Sequence, residues 1–307
     1  MLNKPKQNKH MSGFDTRTHQ QQVAQAERHR SHELQSKRLR DKLAQRALGE
    51  QEQLRRSGEF FSAVRSIDTL AQNSATENNV RPRNIRAAAE SLLENPESSI
   101  IEKNVARIYT VLPGFVEASR RLDSSTLPRS IAKTYKAHLS RFNSAIKEII
   151  DTDSKVGFEE IMQYVDGAAL TYGYSGESLT TIDTDVRISL KGTQHELAVE
   201  GALYRLGYDL DETDTTDDLN GIDVSTLRKS DGMPVYIDVK SSHALAERKS
   251  AERDAFYAGI GRTPPSNHLI LASSFQDTDF TAANPWRPTE AAMQRVMPQL
   301  EAAIEHI

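Results

Sequence analysis

Residues 221–242 read GIDVSTLRKSDGMPVYIDVKSS. Two apolar, β-branched runs, 221–227 and 235–242, flank the turn residues Lys229-Ser230-Asp231-Gly232, which is the pattern of a β-hairpin. Charges interrupt both runs: Asp223 in the first, Asp238 and Lys240 in the second. Side chains two apart in a strand share a face. Asp238 and Lys240 therefore project together, and Asp223 can lie across from them. Two carboxylates side by side are costly without a cation between them. Oxygen donors select a hard ion, Mg²⁺ or Mn²⁺. A lysine beside such an ion can orient or activate a water, and the set suits attack on a phosphodiester. A structural ion pair at a strand end is the plain alternative.

Upstream, residues 191–207, KGTQHELAVEGALYRLG, read as one amphipathic helix closed by Gly207. Val199, Ala202, Leu203 and Leu206 define its buried stripe. Glu196 lies about 70° from the centre of that stripe and Glu200 about 110°, so Glu196 faces the sheet more nearly. A short strand follows at 208–210. Downstream, residues 244–258 read as a helix, 267–273 as a buried strand, and Pro288 opens a terminal helix with Met293, Val296, Leu300 and Ile304 on one face. The order is helix, three strands, helix, strand, helix, an α/β sandwich around a mixed sheet.

Gly192-x-x-x-Glu196, Gly221-Ile222-Asp223 and Asp238-x-Lys240 on an apolar strand together resemble the PD-(D/E)XK nuclease superfamily, over about residues 188–275. The nearest flavour is similar to archaeal-type Holliday-junction resolvases and restriction-endonuclease-like domains. The resemblance implies an αβββαβ core and metal-dependent cleavage of a phosphodiester. It implies that Asp223 and Asp238 bind Mg²⁺ or Mn²⁺, that Lys240 acts on the nucleophilic water, and that Glu196 assists metal binding. The sequence departs from the motif in having Gly221-Ile222 before Asp223 where the motif has proline. An endonuclease acting on DNA is the expectation. The alternatives are a nuclease acting on RNA, or a non-catalytic nucleic-acid-binding or assembly protein on the same fold.

The rest of the chain reads as helical. Phe61, Val64, Ile67 and Leu70 recur every three residues. Ile85, Ala88, Ala89, Leu92 and Leu93 follow helical spacing, as do Ile100, Ile101, Val105, Ile108 and Leu112 until Pro113-Gly114 is expected to stop them. Pro128 opens a helix with Ile131, Tyr135, Leu139, Phe142, Ile146, Ile149 and Ile150 on one face, and another is expected over 158–165. The expected class is thus mixed α+β and α/β: an all-helical N-terminal region, then an αβββαβ restriction-endonuclease-like domain. The boundaries are a basic, partly disordered or helical arm at 1–58, a helical domain at 59–172 and the nuclease-like domain at 173–307. A fragment starting near residue 175 is expected to fold alone.

Charge divides the chain the same way. Residues 1–60 carry 13 Lys and Arg against 7 Asp and Glu, whereas residues 166–307 carry 12 against 23. A basic front suits phosphate contacts, a protein partner or self-association. The 307 residues contain no cysteine, which excludes disulfides and thiolate metal sites and fits a cytoplasmic location. No apolar run approaches the roughly 20 residues of a membrane span, so no membrane partner is expected, and the polar N-terminus does not read as a secretory signal. There is no P-loop or G-x-G-x-x-G. Lesser candidates are His29 with His32, the acidic cluster Asp209, Asp211, Glu212, Asp214, Asp217 and Asp218, the strand-end residues Ser241, Ser242 and His243, and Lys249, Arg253 and Tyr257 on one helix face.

Overall fold

The computed structural model describes residues 49–72, 81–122, 127–211, 217, 221–282 and 284–307. Most of the basic arm, with His29 and His32, lies outside the described residues, as do Glu212, Asp214 and Asp218 of the acidic cluster. The chain divides into two units, Met1–Gly58 and Glu59–Ile307. In the first, residues 49–58 are helical. The second carries the sheet and the candidate site.

The fold is mixed α+β and mostly helical. In chain order come α1 (49–72), α2 (Arg81–Glu94), α3 (Ile100–Leu122), α4 (Arg129–Thr152), α5 (Phe158–Thr171), α6 (Glu177–Leu206), β1 (Leu210–Asp211), β2 (Val224–Leu227), β3 (Pro234–Lys240), α7 (His243–Gly259), β4 (His268–Ala272) and α8 (Glu290–Glu305). The strands form one sheet in the order β1-β2-β3-β4, antiparallel except for the parallel pair β3–β4. The hairpin register pairs Val224 with Ile237 and Leu227 with Pro234. Gly232, at φ +72°, makes the turn, a conformation that costs a glycine little. β4 is half-buried rather than buried, because it is the sheet's edge.

Two apolar cores form. One gathers α1–α5 around Ile67, Ile108, Tyr109, Phe142 and Tyr164. The other packs Val235, Ile237 and Val239 of β3 against Val199 and Leu203 of α6 and Val296 and Leu300 of α8. Odd-numbered residues of β3 are thereby committed to this core. The even-numbered Asp238 and Lys240 fall on the other face.

α6 belongs to both cores, and here the structure differs from the sequence reading. The helix begins at Glu177, not near residue 191. Ile182, Val186 and Leu190 of its first half join the helical core, as does Trp286, whose Nε1 donates to the Val156 carbonyl at 2.8 Å. Ala198, Val199, Ala202 and Leu203 of its second half join the sheet core. A fragment beginning at residue 175 would expose three fully apolar side chains. At about 2 kcal/mol each the loss rivals the roughly 5–15 kcal/mol net stability of a domain. Independent folding of that fragment is therefore no longer expected.

α3 also runs past its expected stop, with Pro113 inside it. Proline has no N–H for the carbonyl four residues back, which belongs to Tyr109. The hydroxyl of Tyr172 donates to that carbonyl at 2.7 Å instead. Gly114, next in line, lets α4 approach: a Cβ there would lie 2.8 Å from His138 Nδ1. Tyr172→Phe leaves the buried Tyr109 carbonyl without this donor. It should cost about 1–3 kcal/mol, read as a lower urea midpoint. An unchanged midpoint would mean that the carbonyl is satisfied otherwise.

Smaller differences concern helix phase. α1 buries Ala63, Ile67 and Ala71 with Phe60 and Val64 packed beside them, while Phe61 is exposed. Ile131 is exposed in the first turn of α4, and α5 continues to Thr171. Pro128 is the N-cap of α4. In α8 the cap is Thr289, accepting from the Ala292 N–H, with Pro288 just outside.

Candidate functional site

Asp223 stands one residue before β2, directly opposite Asp238. Its N–H donates to the Ile237 carbonyl at 2.8 Å, and its Oδ2 accepts from the Val239 N–H at 2.6 Å. The carboxylate is thus fixed against β3 by the strand backbone. Asp238 is only 2% exposed. Lys240 folds back over both acids: its ammonium donates to Asp238 Oδ1, lies 3.8 Å from Asp223 Oδ2 and reaches the Val239 carbonyl at 3.0 Å. Gly221, at φ +75°, brings the chain into position beside them. A Cβ there would lie 3.4 Å from Asp238 Oδ2, and proline's fixed φ of about −65° excludes it at this position. His268 of β4 meets the Gly221 carbonyl through Nε2 at 3.1 Å and helps hold the turn.

Glu196 comes from α6. Its Oε2 pairs with Lys147 of α4 at 3.2 Å, and Glu200, one turn on, pairs with the same ammonium at 3.1 Å. Glu196 is the more buried of the two. The structure therefore assembles Asp223, Asp238 and Lys240 in direct contact and sets Glu196 close enough to act on Asp223 electrostatically.

Electrostatics mark the cluster as short of positive charge. Burial, then Glu196 and Asp238, push the Asp223 carboxyl up to about 8, against the opposing pull of Lys240 and the Val239 N–H. Burial disfavours the Lys240 ammonium, but Asp223 and Asp238 outweigh it, so its pKa is raised. The same balance raises Lys147: burial opposes its charge, and Glu196 and Glu200 more than offset it. Glu200 is raised, chiefly by burial. With every group ionised, Glu196, Glu200, Asp223 and Asp238 exceed Lys147 and Lys240 by two negative charges.

Among the described residues no three Asp, Glu or His side chains converge into a ready metal cage. The donor set nevertheless fits a hydrated hard ion. Mg²⁺ is ordinarily held by one or two carboxylates with several waters retained, and Asp223 and Asp238 supply two opposed carboxylates. Asp223 and Asp238 would hold it, with Glu196 assisting.

The raised Asp223 has a measurable consequence. A carboxyl whose folded pKa exceeds its unfolded value keeps a proton that the unfolded chain has lost. Its contribution to stability is complete below about pH 4 and declines as pH rises towards about 8. Asp223→Asn removes this titration. Without metal, the melting temperature of the variant relative to the unsubstituted protein should climb between pH 5 and pH 8. A constant difference would mean that Asp223 titrates normally.

Lys147 carried no signal in the sequence. It borders the apolar stripe of α4 without any motif, and its partner Glu200 is 53 residues away. Among the described residues, four of the lesser candidates have partners of their own. Ser242 caps α7, its Oγ accepting from the Leu245 N–H. Arg253 donates to the His268 carbonyl at 2.8 Å and anchors α7 on β4. Lys249 lies 3.7 Å from Glu252. Asp211 accepts from the Ser225 hydroxyl.

No protein-family model, no curated protein and no solved structure matches this chain.

Proposed function

We propose that this chain is a metal-dependent phosphodiester hydrolase, an endonuclease acting on DNA in the cytoplasm, built on a PD-(D/E)XK-type core. The observation that carries the reading is the pair Asp223 and Asp238, opposed across a hairpin and joined by Lys240 on an otherwise apolar strand. A bound Mg²⁺ or Mn²⁺ supplies charge neutralisation and a more acidic water. The residues do the rest. Asp223 and Asp238 hold the ion, and the backbone bonds of Asp223 fix its carboxylate before any ligand arrives. Lys240, beside both acids, would orient the attacking water and meet the charge that develops on the phosphate. Glu196 completes the negative wall on the α6 side. The acidic C-terminal region repels phosphate, so affinity would come from a local basic groove, from the ion, or from the basic first sixty residues, which would contact nucleic acid or a protein partner.

The test is a divalent-ion titration with a labelled duplex. Cleavage that appears with Mg²⁺ or Mn²⁺ and stops on chelation is the expected result. Metal-independent binding without cleavage would replace this reading with that of a nucleic-acid-binding or assembly protein.

A further inference from the structure

We propose that Lys147 is a positioning residue of this site, holding the Glu196 carboxylate beside Asp223, so that the helical region is part of the metal centre. The inference rests on the metal-site reading above. Lys147 belongs to α4, outside the αβββαβ segment, and its ammonium lies between Glu196 at 3.2 Å and Glu200 at 3.1 Å. Only about a quarter of its side chain is exposed, and the Glu196 side chain is 14% exposed. Neither group lies out in solvent, where an ion pair would matter little. Glu196 has side-chain freedom of its own. Among the described residues Lys147 is the partner that holds its carboxylate, whereas Asp223 is pinned by backbone bonds.

Glu200 makes the arrangement a clamp rather than a pair. With acids on both sides, the ammonium is held in place, and the carboxylate it holds is the one whose charge reaches both Asp223 and Lys240. Groups that orient a metal ligand commonly change metal affinity about 10–100-fold when removed.

The experiment is Mn²⁺ binding, read from the loss of the free-ion paramagnetic resonance signal, in the full chain. Lys147→Met is isosteric but adds a negative charge to the cluster, which attracts cations. The double variant Lys147→Met with Glu200→Gln keeps the net charge unchanged and removes only the clamp. Its Mn²⁺ affinity should fall about 10-fold, and Lys147→Arg should return it to within about threefold. Glu200→Gln alone leaves Lys147 on Glu196 but opens the clamp, so its affinity should fall between that of the unsubstituted protein and that of the double variant. If Lys147→Met does not fold, Lys147→Gln with Glu200→Gln carries the same comparison. Unchanged affinity in the charge-balanced variant, with binding abolished by Asp223→Ala, overturns the role of Lys147 and leaves the metal site standing. Absence of Mn²⁺ binding in the unsubstituted protein overturns both.

Discussion

Asp238→Asn should lose at least about 10²-fold in metal-dependent cleavage, the scale on which a central electrostatic contributor is lost. Asp238 is buried, faces Asp223 and accepts from Lys240. The amide keeps the shape of the side chain and can still accept from the lysine. What it loses is the charge that holds a cation. Folding should survive the change. In the metal-free protein the carboxylates of Asp223, Asp238 and Glu196 repel one another, and neutralising one relieves part of that. The melting temperature should therefore hold or rise while cleavage collapses. Cleavage at the level of the unsubstituted protein would show that Asp238 binds no catalytic ion.

Lys240→Met should show the opposite division between stability and metal. Lys240 is in direct contact with Asp223 and Asp238, and its side chain is 25% exposed. Removing one partner of a buried ion pair strands the other, at about 3–5 kcal/mol, and the lower end applies to a group this exposed. Without metal the variant should be destabilised by about 3 kcal/mol. Saturating Mn²⁺ should return much of that loss, since an ion that binds only the folded state stabilises it. Cleavage should remain low, because the ion replaces the lysine's charge among the carboxylates but not its contact with the water. Chemical denaturation with and without Mn²⁺ reads this directly. A loss of stability that Mn²⁺ does not repair would assign Lys240 to structure alone.

The hairpin was legible because a strand's period of two leaves few choices. Once Ile237 and Val239 point into the core, Asp238 and Lys240 cannot. What could not be read depends on groups far apart in sequence. Pro113 looks like a helix stop until Tyr172 donates to the carbonyl that the proline abandons. The start of α6 was missed because one face of residues 177–190 carries Thr, Asp and Arg, and only Ile182, Val186 and Leu190 mark the buried face. The adjacent Phe60 and Phe61 leave the phase of α1 ambiguous, and Tyr164, stacked on Phe60 with ring centroids 5.8 Å apart, decides it. Lys147 is the clearest case, since no local pattern announces that a lysine in one helix will sit between two glutamates of another.

The proposed role of Asp223, Asp238, Lys240 and Glu196 is to cut a phosphodiester with the help of a divalent ion. It is tested most directly by incubating the protein and Asp223→Ala, at equal concentration with Mn²⁺, with end-labelled single-stranded DNA, duplex DNA, branched DNA and RNA, and resolving the products on a denaturing gel. Internal cleavage of at least one DNA substrate by the unsubstituted protein is expected, with none after chelation and none by Asp223→Ala. Intact substrates throughout, or equal cleavage by Asp223→Ala, would contradict it.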